Sequence, residues 1–328
     1  MARAELESLL NLFPCDVETR WLNRVVILES HISPIEFLLE RSALIQKAGV
    51  VLIEYNSNQW SKDMTPSDGW ENYLTAGDEF AVRTLCIEGA TNSTRERDRI
   101  EWDLGASIKN RTNARVNLKN PAKEILVILG PENILICESQ NSKLRHLLRQ
   151  REPGKKMFFH PSMMNSTLSR VMCNLAGVMP DDIVLDPFCG GGGILCEASY
   201  IGARPIGCDL NWKMLTGAKR NLDQIKGEYS LIQADAQNIP VQSVDCIVTD
   251  PPYGRASSTR GGESIELVST LMSTASSILT SRGEHLCICG SSEMGLLEIA
   301  QKQGLAVGKH LRIRVHSGLV RELVTIVI

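Results

Sequence analysis

The sequence predicts an α/β fold with a mostly parallel sheet in its second half, preceded by smaller α+β units. From residue 183 onward, short apolar segments alternate with helical segments, which is typical of a parallel sheet. Several of these apolar segments end in an aspartate, as expected where strand ends surround a ligand. The first half instead pairs single helices with strands and then carries consecutive strands, as α+β units do.

The composition is that of an ordinary globular chain of 328 residues, with 43% hydrophobic and 22% charged residues and a net charge of −3. This length allows two or three domains. No apolar run approaches the roughly 20 residues that cross a bilayer, and the acids after Met1 are unlike a signal peptide. The ten cysteines lie singly, which favours buried thiols over metal ligands. We therefore expect a cytoplasmic protein with no membrane segment and no metal site.

The first 60 residues contain two pairs of a helix and a strand. We expect helices at 2–12 and at 34 to about 47, and strands at 24–29 and 50–55. Ser33 and Pro34 signal the start of the second helix, and Gly49 signals its end. Residues 56–79 have the composition of a loop-rich boundary and include Trp60 and Trp70.

The next region contains one clear helix among several strands. The helix is predicted at 95–109, where Ile100, Leu104 and Ile108 recur every four residues. Strands are predicted at 79–83, 115–118, 124–129 and 133–138.

A basic stretch closes this region. Residues 143–156 include seven basic residues and a single acidic residue, Glu152. The basic residues are Lys143, Arg145, His146, Arg149, Arg151, Lys155 and Lys156. Such a run is typical either of a solvated helix face or of an element that contacts nucleic-acid phosphates.

The segment Thr249-Asp250-Pro251-Pro252-Tyr253-Gly254 follows a buried strand predicted at 244–248. A carboxylate and proline carbonyls accept N–H donors, and an aromatic ring stacks on a flat partner. These groups suit the exocyclic amine of a nucleobase, because acceptors on its N–H groups make its lone pair more available. An ordinary strand-to-loop ending is the alternative interpretation.

Four consecutive glycines follow the strand predicted at 183–186, and a helix follows at 194–200. Glycines in such a turn let a ligand approach the backbone. The loop lacks both the dinucleotide fingerprint and the Lys-Ser/Thr pair of a phosphate loop. Asp186, at the strand end, would repel phosphate and favour a cation, such as the ammonium and sulfonium of S-adenosylmethionine. A tight turn without a ligand is the alternative.

Two further acids stand at predicted strand ends. Asp209 follows the strand at 205–208, about 20 residues after the glycine loop, which is the spacing of an acid that binds ribose hydroxyls. Asp235 follows the strand at 230–234. Helix capping alone does not readily explain four acids at four strand ends. The remaining elements are helices at 165–176, 264–279 and 293–303 and strands at 284–289, 311–315 and 323–328.

The first half resembles two modules of tRNA-modifying enzymes. Phe80-Ala81-Val82-Arg83, Leu104-Gly105-Ala106 and the segment 116–121 resemble a THUMP domain, and the residues before them resemble its ferredoxin-like companion without the opening strand. The resemblance implies a ferredoxin-like domain at 1–60, a THUMP domain at 61–142 that holds the 3′ end of tRNA, and a basic linker at 143–164. The RNA contacts predicted on this basis are Arg83, Lys143, Arg145, Arg149, Arg151, Lys155 and Lys156.

Residues from about 157 to 328 resemble the Rossmann-like class I S-adenosylmethionine-dependent methyltransferases, whose seven-stranded sheet ends in an antiparallel edge. The methyltransferase domain itself is predicted at 165–328. The resemblance places Asp186 and the glycine loop at the methionine end of the cofactor, Asp209 at the ribose and Asp235 at the adenine amine. The implied cofactor-binding residues are His160, Pro161, Asp186, Phe188, Gly190, Gly192, Asp209, Leu210, Asp235, Ala236 and Asp250. The implied catalytic residues, which receive the target base, are Asp250, Pro251, Pro252 and Tyr253.

Three motifs together resemble the archaeal and eukaryotic tRNA guanosine-10 N2-methyltransferases. They are Phe159-His160-Pro161, the segment 186–192 and the segment 249–255. The resemblance implies methyl transfer to N2 of a flipped guanosine, tRNA as partner, and a small zinc-binding activator protein that adds a strand to the sheet edge. Alternatives are methylation of guanosine 6, whose enzymes more often carry Asn at position 250, of adenine N6 or cytosine N4, or a non-catalytic tRNA-binding protein.

Overall fold

A computed structural model describes residues 1–56, 69–87, 93–252, 261–280, 284–316 and 318–327. The chain divides into two compact units. The first unit comprises Met1–Pro14, Glu40–Ile45 and Lys143–Ile328, and the second comprises Cys15–Leu39 and Gln46–Ser142. The predicted boundary after residue 142 coincides with a division between the units, whereas no division falls at 60 or 164. The amino-terminal helix belongs to the unit that holds the carboxy-terminal half.

The elements up to residue 142 are as follows. In chain order they are α1 (Ala2–Leu12), β1 (Glu18–Leu22), β2 (Val25–Glu29), α2 (Ile35–Arg41), β3 (Lys47–Asn56), a 3₁₀ turn (Trp70–Asn72), β4 (Glu79–Cys86), α3 (Thr94–Thr112), β5 (Arg115–Val116), β6 (Lys123–Leu129) and β7 (Asn133–Asn141).

The elements after residue 142 alternate regularly. They are α4 (Leu144–Gln150), a 3₁₀ turn (Pro153–Lys155), α5 (Ser166–Leu175), β8 (Ile183–Asp186), α6 (Gly193–Ile201), β9 (Arg204–Asp209), α7 (Trp212–Leu222), β10 (Ser230–Gln233), β11 (Cys246–Thr249), α8 (Gly261–Ile278), β12 (Glu284–Ser291), a 3₁₀ turn (Ser292–Met294), α9 (Leu296–Lys302), β13 (Ala306–His316) and β14 (Leu319–Val327).

The second unit is built on a five-stranded sheet with the order β3-β7-β6-β4-β5. Strand β4 runs parallel to β5 and β6, whereas β7 is antiparallel to β3 and β6. Helix α3 buries Leu104 and Ile108 in one cluster with Phe80, Ile125 and other residues of the sheet. The β1–β2 hairpin contributes to a separate cluster that contains the alternate residues of β6 and β7. Both faces of the sheet are therefore covered.

Residues 1–60 do not form a separate ferredoxin-like domain among the described residues. Strand β3 pairs with β7 along its length, from Lys47 opposite Asn141 to Asn56 opposite Asn133, and so joins the sheet predicted for 61–142. Strand β1 was not predicted, because its exposed residues Glu18 and Arg20 interrupt the apolar pattern.

The helix predicted to reach Lys47 ends at Arg41, and Gly49 lies inside β3. A Cβ atom at Gly49 would lie 2.2 Å from the carbonyl oxygen of Glu138 on the neighbouring strand. The glycine therefore permits close strand pairing and does not end a helix.

A buried carboxylate fastens the amino-terminal helix within the first unit. Glu5 of α1 is fully buried. It accepts hydrogen bonds from Ser42 Oγ (2.7 Å), Ala43 N (2.9 Å) and Asn174 Nδ2 of α5 (2.8 Å). Buried polar groups need such partners, and these bonds draw residues 42 and 43 away from a continued helix. The bonds explain why Met1–Pro14 and Glu40–Ile45 belong to this unit.

The first unit contains a seven-stranded sheet with the order β10-β9-β8-β11-β12-β14-β13. The five strands from β10 to β12 are parallel, and β14 is antiparallel to both of its neighbours. Helices α5, α6 and α7 contribute to the clusters of one face, and α8 and α9 to that of the other. The predicted mostly parallel seven-stranded sheet with an antiparallel edge is confirmed.

Chain order reverses direction between β8 and β11. Strands β8, β9 and β10 extend the sheet one way, and the chain then returns to place β11 on the other side of β8. Ligands of open α/β sheets bind at this kind of switch point, outside the carboxyl ends of the strands. Within the described ranges, no helix combines the length and the apolar character needed to cross a bilayer.

Candidate functional site

A cleft of about 830 Å³ lies at the carboxyl ends of the parallel strands. Four strands deliver an aspartate there: β8 ends in Asp186, β9 ends in Asp209, and Asp235 and Asp250 follow β10 and β11. Glu266 of α8 is a fifth carboxylate in the lining. The cleft is therefore strongly acidic and suits a cationic ligand.

Most residues predicted from the sequence to bind cofactor or base line this one cleft. They are His160, Pro161, Asp186, Phe188, Gly190, Asp209, Leu210, Asp235, Ala236, Asp250, Pro251 and Pro252. Gly192 is not in the lining, and Tyr253 lies outside the described residues. The roles of the individual residues remain predictions.

Asp186 is the most buried acid of the cleft, with 2% of its surface exposed. Its Oδ1 accepts hydrogen bonds from Thr249 Oγ1 at 2.7 Å and from Phe188 N at 3.1 Å. Burial, reinforced by the charges of Asp250 and Asp209, raises the pKa of Asp186 to about 7. The carboxyl group is thus poised to ionise when a cation enters.

The glycine loop needs glycine at two positions for backbone reasons. Gly190 and Gly192 have φ angles of +50° and +77°, in the left-handed region. A Cβ atom at Gly192 would approach the Cβ of Ala218 on α7 to 3.1 Å. Gly192 therefore caps the start of α6 and packs against α7, and its predicted contact with the cofactor stays a prediction. Gly190 does line the cleft.

Asn221 holds the glycine loop against the segment that precedes α5. Its Nδ2 donates to the carbonyls of Gly191 (2.9 Å) and Phe158 (3.1 Å), and its Oδ1 accepts from Phe158 N (2.8 Å). The side chain is buried. The sequence analysis missed this residue, because α7 was not predicted and an asparagine in a helix carries no distinctive signal.

The carboxylates of Asp209 and Asp235 also shape the loops that carry them. Asp209 accepts from Gly190 N (3.0 Å) through Oδ2 and from Asn211 N (2.8 Å) through Oδ1. Asp235 Oδ1 accepts from Gln237 N (3.0 Å). Each carboxylate oxygen has two lone pairs, so these bonds leave acceptor capacity for a ligand.

Asp250 forms an ion pair with an arginine that the sequence analysis did not assign to the site. Arg321 of β14 places Nη1 3.0 Å from Asp250 Oδ2, and each side chain is 14% exposed. Pro251 is buried and Pro252 is half-buried beside them. Arg321 lies 71 positions from Asp250, and the two come together because β12 pairs with β11 on one side and with β14 on the other.

The residues predicted to contact RNA differ in their surroundings. Arg151 lies 3.5 Å from the buried carboxylate of Glu197, and its guanidinium carbon lies 3.5 Å from the ring centroid of Tyr200. These contacts give Arg151 a packing role. Lys143, Arg149 and Lys155 are exposed, and Arg145 and Lys156 are half-buried. In the second unit, Arg83 donates to the carbonyl of Leu118 and lies 3.9 Å from Glu101.

The donor set of the cleft fits S-adenosylmethionine. Carboxylates at adjoining strand ends favour its ammonium and sulfonium groups, and burial together with the charges of Asp250 and Asp209 raises the pKa of Asp186. Asp209 lies at the end of the strand beside β8, as a ribose-binding acid requires. No cluster of the described residues has the arrangement of a metal site.

Comparison with known proteins identifies the family. Residues 153–322 match the UPF0020 family of RMKL-like methyltransferase domains. A Methanocaldococcus jannaschii protein named tRNA (guanine(10)-N2)-dimethyltransferase is 34% identical, across 81% of this chain and 82% of that protein. A protein of the same name from Pyrococcus abyssi is 29% identical, across 98% of this chain and 94% of that protein.

A solved structure supports the fold over nearly the whole chain. The crystal structure of TrmN from Thermus thermophilus has a TM-score of 0.59 and 20% identity, and the match covers 99% of this chain and 96% of that one. This structure, at 20% identity, shows the fold, whereas the matched domain and the relatives in sequence show the family. The chain belongs to the family of archaeal and eukaryotic tRNA guanosine-10 N2-methyltransferases, within the RMKL-like methyltransferases.

Proposed function

We propose that this protein is an S-adenosylmethionine-dependent methyltransferase that methylates N2 of guanosine 10 in tRNA. The observation that carries the proposal is the position of Asp250 and Pro251 in the same cleft as Asp186, Asp209 and Asp235. A group that accepts N–H donors thus adjoins a site suited to the cofactor. Relatives that are 29 to 34% identical to this chain are named for methylation of guanine 10 in tRNA, which supports tRNA as the substrate.

The cofactor would be held by the acids at the strand ends. In this proposal Asp186 and the glycine loop face its methionine end, Asp209 its ribose and Asp235 its adenine amine. When bound, S-adenosylmethionine supplies an electrophilic methyl group on a sulfonium. The residues named here orient the cofactor.

Asp250 and Pro251 would prepare the guanine amine. The lone pair on N2 is delocalised into the ring, so N2 is a weak nucleophile. A carboxylate and a carbonyl that accept its two hydrogens increase its electron density and fix its direction. The surplus proton leaves through Asp250 or water. A guanine in a stem must flip out of its stack, at a cost of a few kcal/mol. Tyr253 is proposed to stack on the flipped ring.

The second unit is proposed to hold tRNA as a THUMP domain. Its α3 and mixed sheet match the elements from which that resemblance was drawn. The exposed residues Lys143, Arg149 and Lys155 are proposed to contact phosphates. With tRNA as substrate, a cytoplasmic location belongs to the same proposal.

A small zinc-binding activator protein is proposed as a further partner. The proposal comes from the family resemblance, in which the activator adds a strand to the sheet edge. The two edge strands available in the described sheet are β10 and β13. Strand addition uses unpaired backbone groups of an edge strand.

The test of this function is nucleoside mapping of methylated tRNA. Transcripts are incubated with S-adenosylmethionine, with and without the activator, and N2-methylguanosine or N2,N2-dimethylguanosine is expected at position 10. The matched control is a transcript with another base pair at that position, which should stay unmodified. A product at guanosine 6, on adenine N6 or on cytosine N4 would favour the corresponding alternative, and no product would favour a non-catalytic tRNA-binding protein.

Cofactor affinity should depend on pH through Asp186. Because its pKa is about 7 in the cofactor-free protein, against 3.8 ordinarily, the group is largely protonated below pH 7. A cationic cofactor needs the ionised form, so its Kd should rise by up to about tenfold per pH unit as pH falls below about 7. Calorimetric titration at several pH values measures this change.

The control for this prediction is Asp186→Asn, which should bind more weakly and lose the pH dependence. Asp223→Asn, at an exposed acid directly after α7, should retain it. The same shift affects the free energy of unfolding. Because the pKa of Asp186 is higher in the folded than in the unfolded protein, the stabilisation from its protonated form is fully present below pH 3.8 and is lost as pH rises through about 7. A Kd that stays constant between about pH 7 and pH 6 would contradict the assignment.

A further inference from the structure

Arg321 lies where it can control the charge and direction of Asp250. In β14 it stands opposite Ser291 of β12 and Ile313 of β13, between two neighbouring strands. Its Nη1 lies 3.0 Å from Asp250 Oδ2 and 3.9 Å from Cys289 Sγ of β12. With only 14% of each side chain exposed, solvent screens this ion pair weakly.

The surrounding charges disfavour an ionised Asp250. Asp186 and Asp209 interact electrostatically with each other, and Asp186 also with Asp250. Like charges in one site oppose ionisation. At Asp186, burial is the main cause of the raised pKa, and the charges of Asp250 and Asp209 add to it. Arg321 is the one permanent cation among the described residues that line the cleft. Among the described residues, the other titratable groups that line the cleft or adjoin Asp250 are Asp186, Asp209, Asp235, Glu266, His160, Cys189 and Cys289.

We propose that Arg321 is a positioning residue, which keeps Asp250 ionised and fixes the orientation of its carboxylate toward the guanine amine. This inference rests on the proposed function, because it concerns the residue that accepts the N2 hydrogens. An ionised carboxylate only accepts hydrogen bonds, whereas a protonated one also donates. Guanine N2 offers two donors, so loss of the charge would replace one acceptor by a competing donor.

The pairing also favours one orientation of the carboxylate. Arg321 donates a hydrogen bond to Asp250 Oδ2. Rotation of the carboxylate about the Cβ–Cγ bond would lengthen this hydrogen bond or exchange the two oxygens. Charge-assisted hydrogen bonds of this length are stronger than neutral ones and specify geometry. Because the guanidinium extends from a strand paired on both sides, it offers a rigid support for Asp250.

The test is the pH dependence of kcat in variants of Arg321, with S-adenosylmethionine and tRNA both saturating so that Asp186 faces bound cofactor throughout. In Arg321→Met the acidic limb of the kcat profile should move to higher pH by about 1 to 3 units, since a nearby opposite charge shifts a carboxyl by that amount. Near neutral pH, kcat should fall by about tenfold or more, and the Kd for S-adenosylmethionine should change less than kcat.

Three further variants separate positioning from folding. Arg321→Lys keeps the charge and should restore the wild-type limb with a lower kcat, because the planar fork is lost. Arg321→Gln is a second neutral variant and should resemble Arg321→Met, which covers the case in which the methionine variant does not fold. Arg314→Met removes an exposed arginine from β13 and should leave the profile unchanged.

The possible outcomes distinguish this inference from the proposed function. If the wild-type protein methylates guanosine N2 and a folded neutral variant keeps its acidic limb, Arg321 has only a structural role and the inference is overturned. If the acidic limb of the kcat profile moves as far in Arg321→Lys as in Arg321→Met, the inference is also overturned, because the positive charge would then have no effect. If the wild-type protein methylates no tRNA, the proposed function falls and this inference with it.

Discussion

Asp250→Ala should lower kcat for tRNA methylation by on the order of 10² to 10³-fold while leaving the fold intact. Positioned acid–base groups and preorganised hydrogen-bond partners each contribute factors of this size. The alanine removes the acceptor for the N2 hydrogens and the group that receives the surplus proton. It leaves the acids at the ends of β8, β9 and β10 in place. The Kd for S-adenosylmethionine should therefore change much less than kcat.

Two controls are needed, because Asp250 also pairs with Arg321. Asp250→Asn keeps the volume and one acceptor oxygen but loses the charge, and should show an intermediate kcat. Combining Asp250→Ala with Arg321→Met removes both charges, so it shows whether an uncompensated arginine contributes to the defect. Single-turnover methylation and calorimetric cofactor binding are measured in parallel. Methyl transfer near the wild-type rate in a folded Asp250→Ala protein would refute the role of this residue.

Glu197→Ala should destabilise the first unit by about 3 to 5 kcal/mol, the usual cost of breaking a buried ion pair. Glu197 is fully buried and Arg170 is 2% exposed. Arg170 places Nε at 3.0 Å and Nη2 at 2.9 Å from Glu197 Oε2, and Arg151 lies 3.5 Å from the same oxygen. Removing the carboxylate leaves a guanidinium charge buried without its partner.

Thermal unfolding measures this effect in the transition that S-adenosylmethionine shifts upward, since ligands stabilise the unit that binds them. Asp223→Ala is the matched control, because Asp223 is 45% exposed and its ion pair with Lys219 should therefore contribute little to stability. Replacing both partners, Arg170→Met with Glu197→Leu, should recover most of the loss. A small loss in Glu197→Ala alone would show that solvent reaches Arg170 when the carboxylate is absent.

The same cluster shows why a charged residue cannot be given an RNA role from sequence alone. Lys143, Arg149, Arg151 and Lys155 occur in one basic stretch. Burial separates them: Arg151 packs on Tyr200 and pairs with Glu197, whereas the three others are exposed. A single sequence gives their charge but not the direction in which each side chain points.

Much of the first unit was predictable because local patterns and tertiary structure agree there. The apolar strand segments and the acids that follow the strands are short-range signals. Parallel strands place their carboxyl ends at one edge, so the acids of β8, β9, β10 and β11 had to meet in one place. Strand order and these local signals therefore suffice to predict that Asp186, Asp209, Asp235 and Asp250 lie at one edge of the sheet.

Errors arose where long-range contacts override the local pattern. The helix predicted to reach Lys47 ends at Arg41, and Glu5 binds the residues that follow it. Strand β3 pairs with β7, whose residues lie 77 to 94 positions away in the chain, and so belongs to the second unit's main sheet. Both contacts need partners that only folding brings close.

The sequence by itself determined the family, the parallel sheet, and the edge of the sheet at which the acids gather, because these follow from motifs and from the period of apolar residues. Tertiary structure alone decided which groups complete the site: Arg321 beside Asp250, Thr249 on Asp186, and Asn221 on the glycine loop. The physical reason is that hydrogen bonds and ion pairs act over about 3 Å in space. Their partners here lie 30 to 71 positions apart in the chain, and no local pattern links them.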